Sequence, residues 1–185
     1  MTTARSETVP APARLVAAFV NTLDLESPTD QIGTPAGLRS WLQEQSLLDE
    51  DAPTPGRYDV DMARGMREDL RDLLECNCGG PLADRCVDGL NRASSVGRLV
   101  VRVGPDGRAV LEPEAAGVAG SLGAIMAAVY TSMTDGTWER LKTCRRESCR
   151  WVFYDQSKNR SGAWCSMKVC GNREKAKQFR ERRKA

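Results

Sequence analysis

Seven cysteines and no histidine bound the chemistry open to this 185-residue chain. Without imidazole there is no Ser-His-Asp or Cys-His nucleophile, no histidine-held catalytic zinc and no proton shuttle near neutral pH, so an enzyme is not expected. Four of the cysteines stand as Cys144-x4-Cys149-x15-Cys165-x4-Cys170. Two close pairs around a short intervening segment are the pattern of a structural zinc site, in which four thiolates close a tetrahedron and leave no open position. One structural Zn²⁺ per chain is expected, although four thiolates also suit an iron–sulfur cluster. The odd cysteine total and a cytoplasmic setting disfavour disulfides. Cys76, Cys78 and Cys86 fall at no recognised metal spacing and read as buried free thiols.

The second chemistry is that of fixed positive charge. Residues 1–137 carry 12 Lys and Arg against 20 Asp and Glu, whereas residues 138–185 carry 15 against 5. Such asymmetry predicts two units, the second with an anionic partner. Glu174 to Lys184 reads as a helix whose Arg173, Lys177, Arg180 and Lys184 form one basic stripe, widened by Lys175, Arg182 and Arg183. Phe179 is the large apolar residue left to pin that helix to the zinc knuckle. Upstream, Ser157 to Gly162 reads as a flexible loop offering Lys158, Asn159 and Arg160 to phosphate oxygens.

The elements that must position these groups are mostly helical. Leu15, Phe19 and Leu23 mark a first helix, and Thr34-Pro35 caps a second over Gly37 to Leu48. A third is expected over Tyr58 to Glu75 and a fourth over Leu82 to Arg92. Leu99 to Val103 and Ala109 to Glu112 flank Gly104-Pro105-Asp106-Gly107 as a β-hairpin. Ala115 to Thr134 contains no charge, but its large residues fall on one side, as in a buried core helix rather than a membrane span. Asp135-Gly136 ends it, and Thr137 would cap a short helix over Trp138 to Lys142. Trp151 to Tyr154 reads as a strand with bulk for a miniature core only.

The fold class expected is therefore mainly α with a small β-hairpin. A helical N-terminal domain (1–136) precedes a treble-clef-like zinc finger (137–185) that ends in a basic helix. No secretory signal opens the chain, so it reads as cytoplasmic, with no membrane partner. Asn21, Arg67, Arg71 and Asn91, polar or charged within helical segments, are candidates for a small-molecule pocket, exposed or capping roles being the plainer reading.

Several of these pieces resemble a known family. Cys144-x4-Cys149, the run Trp151 to Asn159, Trp164-Cys165-Ser166-Met167 and Cys170-Gly171-Asn172-Arg173 are similar to the CGNR zinc finger. Phe19-Val20-Asn21-Thr22 and Leu38-Arg39-x-Trp41-Leu42 resemble the ABATE domain that usually precedes it. The resemblance implies a stress-induced bacterial transcription regulator that binds DNA through the finger, with the four cysteines as zinc ligands. It carries over Asn172 and Arg173 only as motif positions; the structural alternative to a phosphate contact is Asn172 capping the knuckle and Arg173 pairing with Asp155. A finger this small would need a homodimer partner, a second contact or RNA polymerase to gain specificity. The alternative is an RNA-binding or protein-interaction adaptor, with the N-terminal domain as sensor or interaction module.

Overall fold

The computed structural model describes residues 9–27 and 29–183. Pro12 sits in the first turn of α1 (Ala11–Val20), which buries Ala13, Val16, Phe19 and Val20 on one stripe. Leu23, expected in that helix, instead pairs with Asp30 in a two-residue ribbon of β1 (Leu23–Asp24) and β2 (Thr29–Asp30). The Thr34 hydroxyl accepts the Gly37 N–H at 3.1 Å and opens α2 (Pro35–Glu44), which stops at Gln45 just before Ser46 takes a left-handed φ of 56°.

Asp59 accepts the Gly56 N–H at 2.7 Å and starts α3 (Arg57–Glu75). Its buried Val60, Ala63, Arg67, Leu70, Arg71 and Leu74 recur at helical spacing, so α3 runs through the middle of the molecule. The fourth helix, α4 (Asp84–Gly97), continues past the expected Arg92 to a left-handed Arg98. Next, β3 (Leu99–Val103) and β4 (Ala109–Pro113) form the expected hairpin, with Leu99 opposite Pro113. The charge-free α5 (Gly117–Thr134) packs on α1, α4 and β4. It is the one described helix long and apolar enough to cross a bilayer, yet its Val118, Leu122, Ile125 and Val129 are core residues. Helices α4 and α5 touch at glycine, since a Cβ on Gly97 would lie 2.6 Å from Gly123 Cα.

Beyond Gly136 the chain makes one 3₁₀ turn, Trp138–Arg140, and then β5 (Leu141–Thr143) pairs antiparallel with β6 (Val152–Tyr154). The longer helix expected to Lys142 is absent because pairing with β6 claims Leu141 to Thr143. The last helix is α6 (Asn172–Arg182). A single hydrophobic core contains Phe19, Leu70 and Ile125 together with Trp138, Leu141 and Val152. The finger thus shares the helical core across residue 136, where the sequence suggested a separate miniature one. Of the other cysteines only Cys86 is buried; Cys76 and Cys78 are half-buried, contrary to expectation.

Candidate metal centre and basic face

The first cysteine pair occupies the loop of the β5–β6 hairpin. There the Cys144 N–H donates to the Trp151 carbonyl at 2.9 Å and the Cys149 N–H to the Arg146 carbonyl at 2.8 Å. Arg150 turns the chain back at a φ of 46°. The second pair comes from the opposite side. Cys165 lies at a bend in an irregular segment, and Cys170 sits in a single wide turn, Met167–Gly171, that leads directly into α6. The Ser166 hydroxyl accepts the Val169 N–H at 3.3 Å and holds that turn.

All four sulfurs lie within 4.8 Å of one another, with Cys149–Cys165 at 3.7 Å and Cys165–Cys170 at 3.6 Å. A tetrahedral Zn²⁺ with Zn–S bonds of about 2.3 Å needs sulfur–sulfur edges of about 3.8 Å, so the cage already has the size of the ion. Burial, with the neighbouring sulfurs, pushes the Cys149 thiol up to about 11 and the Cys165 thiol higher still. At Cys170 burial acts the same way but is outweighed by hydrogen bonds from the other thiols and Arg146, which lower it. A dication lets all four ionise together, as a coordinating thiol does. The residues therefore fit one structural zinc, with Cys144, Cys149 and Cys170 buried and Cys165 half-buried.

Each residue of the tetrapeptide after Val169 has its own physical task. Cys170 is a ligand. Gly171 leaves room for Trp164 and Met167, because a Cβ there would lie 3.2 Å from Trp164 Cδ1 and 2.5 Å from Met167 Sδ. The Asn172 side-chain amide donates to the Lys168 carbonyl at 3.2 Å, fastening the wide turn to α6. Arg173 donates to Glu26 at 3.0 Å, so the alternative pairing with Asp155 does not form.

Asp155 belongs to Lys142. Their buried ion pair measures 2.8 Å, and the carboxylate also accepts the Ser157 and Gly162 N–H groups at 2.9 and 2.8 Å. Burial opposes ionisation, but these donors prevail and hold the Asp155 carboxyl well below the usual carboxylate range. Gly162 must lack a side chain, since its Cβ would fall 2.7 Å from the Asp155 carboxylate. Lys142 also donates to the Arg160 carbonyl. The loop read as flexible is therefore tied down along its length. Arg160 pairs with Glu139, while Lys158 and Asn159 are exposed at its tip.

Three of the four candidate pocket residues, Arg71, Arg67 and Asn21, are ties between elements. Fully buried Arg71 donates to the carbonyls of Val20 at 2.7 Å and Arg150 at 3.0 Å and to Glu68 at 2.9 Å, joining α1, α3 and the zinc knuckle. Arg67 holds Asp30 through two bonds of 2.6 and 3.1 Å. Asn21 pairs through both side-chain atoms with the Val152 backbone, each bond 2.8 Å. Asn91 is exposed on α4, apart from the other three, where it lines a groove of about 560 Å³ against α3. The finger's charge is likewise turned inward. Arg150 meets Asp72 and Glu75 of α3 at 2.9 and 2.7 Å, and Arg146 and Arg173 share Glu26. Part of the sequence's charge asymmetry is therefore complementarity between the two halves, carried by Arg146, Arg150 and Arg173.

What remains outward, besides Arg145, Lys158 and Lys168, is α6. Lys177 and Arg180 are exposed and, among the described residues, meet no carboxylate; Lys184 lies outside the described residues. Phe179 does not pin the helix. It is 57% exposed, with the Arg183 guanidinium 5.7 Å from its ring centre. Sequence reasoning missed Glu26, Asn77, Lys142 and Arg146, and named Trp164 only as a motif position. Asn77 donates to the carbonyls of Trp138 and Leu141 at 2.8 and 2.9 Å, and nothing in its local sequence marks it for that task.

Comparison with protein families gives two matches. Residues 140–183 match the CGNR zinc finger, and residues 13–136 match ABATE, described as "Putative stress-induced transcription regulator". No curated protein matches the chain. With a four-cysteine cage at the centre of one match and the other spanning well over half of its length, the chain belongs to the ABATE family and carries a C-terminal CGNR zinc finger.

Proposed function

We propose that this protein is a cytoplasmic DNA-binding transcription regulator in which zinc holds the basic helix α6 against the duplex backbone. The observation that carries this reading is the outward charge of α6. Lys175, Lys177, Arg180, Arg182 and Arg183 meet no carboxylate among the described residues, whereas Arg146, Arg150, Arg160 and Arg173 each do. Zinc supplies structure and no reaction step. It ties the start of α6, through Cys170, to a knuckle that Arg71 and Asn21 join to the helical core. Lys158, Lys177 and Arg180 then contact phosphates. Because a single short helix gives little specificity, a second copy of the chain or RNA polymerase completes recognition. The helical module serves as sensor or interaction surface, and no catalytic role is assigned to it.

The test is binding of the full, zinc-loaded chain to duplex DNA across a salt series, with the double variant Lys177→Glu, Arg180→Glu beside it. Each neutralised phosphate contributes about −0.9 to the log–log salt slope, so the variant should lose about two contacts' worth of slope and most of its affinity. Undiminished duplex binding by the variant, with zinc content unchanged, would overturn the reading. It would leave an RNA-binding or protein-interaction adaptor.

A further inference from the structure

The finger has another face, which the basic helix does not use. A groove of about 960 Å³ opens between β6 and the segment around Cys165, walled by Phe153, Tyr154, Trp164 and Met167. Its far wall is fixed by the metal site. Trp164 and Ser166 flank the ligand Cys165, and Met167 begins the turn that contains the ligand Cys170. Bare Gly171 lets Trp164 and Met167 close against the backbone, so the ring has a defined seat. Met167 is nevertheless 51% exposed, and Phe153, Tyr154 and Trp164 are only half-buried.

The charge around this aromatic surface is one-sided. The acid in the wall, Asp155, is buried against Lys142 and the loop amides. Lys168 stands exposed on the lip and Lys158 exposed on the adjoining loop, neither meeting a carboxylate among the described residues. Flat π faces beside fixed cations suit a polyanion that can present flat rings. A duplex keeps its base faces stacked inside, whereas a single strand exposes them. We propose that this groove binds an unpaired nucleobase of a single-stranded nucleic acid, the base stacking on the Trp164 wall and the adjoining phosphates meeting Lys168 and Lys158. The inference rests on the nucleic-acid reading above and adds a base-stacking surface that duplex DNA would leave idle, with Lys158 meeting the phosphates of either ligand.

The experiment uses the full, zinc-loaded chain with a labelled oligodeoxythymidine and a duplex of equal length at one ionic strength. Wild type should bind the single strand with quenching of tryptophan emission, and Trp164→Phe should lose most of that quenching. The double variant Met167→Ala, Lys168→Ala alters exposed side chains only, and is expected to weaken single-strand binding at least about fivefold. Its duplex affinity should change less than about twofold. If Trp164→Phe proves to lose zinc, the double variant decides. Unchanged single-strand affinity in that variant overturns the inference. So does duplex binding with no single-strand binding, an outcome that leaves the proposed function standing; binding of neither ends both.

Discussion

Replacing Leu141 by alanine asks whether the finger and the helical module are one cooperative body. Leu141 is fully buried in β5, on the finger's side of residue 136, and belongs to the core that holds Phe19 and Leu70. A buried Leu→Ala change costs about 2–5 kcal/mol, with the higher values where the site cannot collapse. Collapse is restricted here, because Asn77 grips the Leu141 carbonyl at 2.9 Å and β5 is paired with β6. A loss of about 3–4 kcal/mol follows, and in a chain of this size each kcal/mol moves the melting midpoint by about 2–4 °C. The midpoint should fall by about 6–16 °C. Far-ultraviolet circular dichroism reads chiefly α1 to α5, and a chromophoric chelator reads zinc release from the finger. Both midpoints should drop together in Leu141→Ala, as they should coincide in wild type. A fall in the zinc-release midpoint with the helical transition unmoved would refute the shared core.

Three further perturbations address the centre and its surroundings. Cys165→Ser opens the tetrahedron and should bring zinc well below one equivalent by elemental analysis of anaerobically purified protein; full occupancy in that variant would contradict the four-thiolate site. Asp155→Asn leaves Lys142 buried without its counter-charge and should cost about 3–5 kcal/mol at neutral pH by urea denaturation. The lowered carboxyl of Asp155 stabilises the fold above the unfolded carboxyl value of about 4, and that contribution disappears as pH falls from there towards the folded value. The gap between wild type and Asp155→Asn should therefore narrow in acid, and a gap constant down to about pH 3 would contradict the pairing. Glu26→Gln releases Arg146 and Arg173, so duplex affinity should rise and the salt slope steepen by up to about 1.8; an unchanged slope would show that those arginines stay committed to the fold.

The zinc ligands could be read from the chain because ligand spacing is local, and α3 and α5 because burial imprints a 3.6-residue period on the sequence. The β3–β4 hairpin was legible from its turn quartet. Where the sequence misled, the determinant was distant. Leu141 to Thr143 become strand only because Val152 to Tyr154 lie alongside, and Arg173 meets Glu26 across nearly the length of the chain. Arg67 and Arg71 could be read as pocket, exposed or capping residues, because a buried arginine that ties carbonyls and carboxylates has no sequence signature of its own. Charge counting separated an acidic half from a basic one correctly. It did not show that Asp72 and Glu75 face Arg150, so part of the charge assigned to an outside partner serves the fold.

The central claim, that α6 carries this protein to promoter DNA, is tested most directly by chromatin immunoprecipitation with sequencing of the tagged wild type beside Lys177→Glu, Arg180→Glu at equal abundance. Discrete promoter peaks in wild type that vanish in the folded double variant are the predicted result. Absent or diffuse signal in wild type, or peaks that survive the charge reversal, would contradict it.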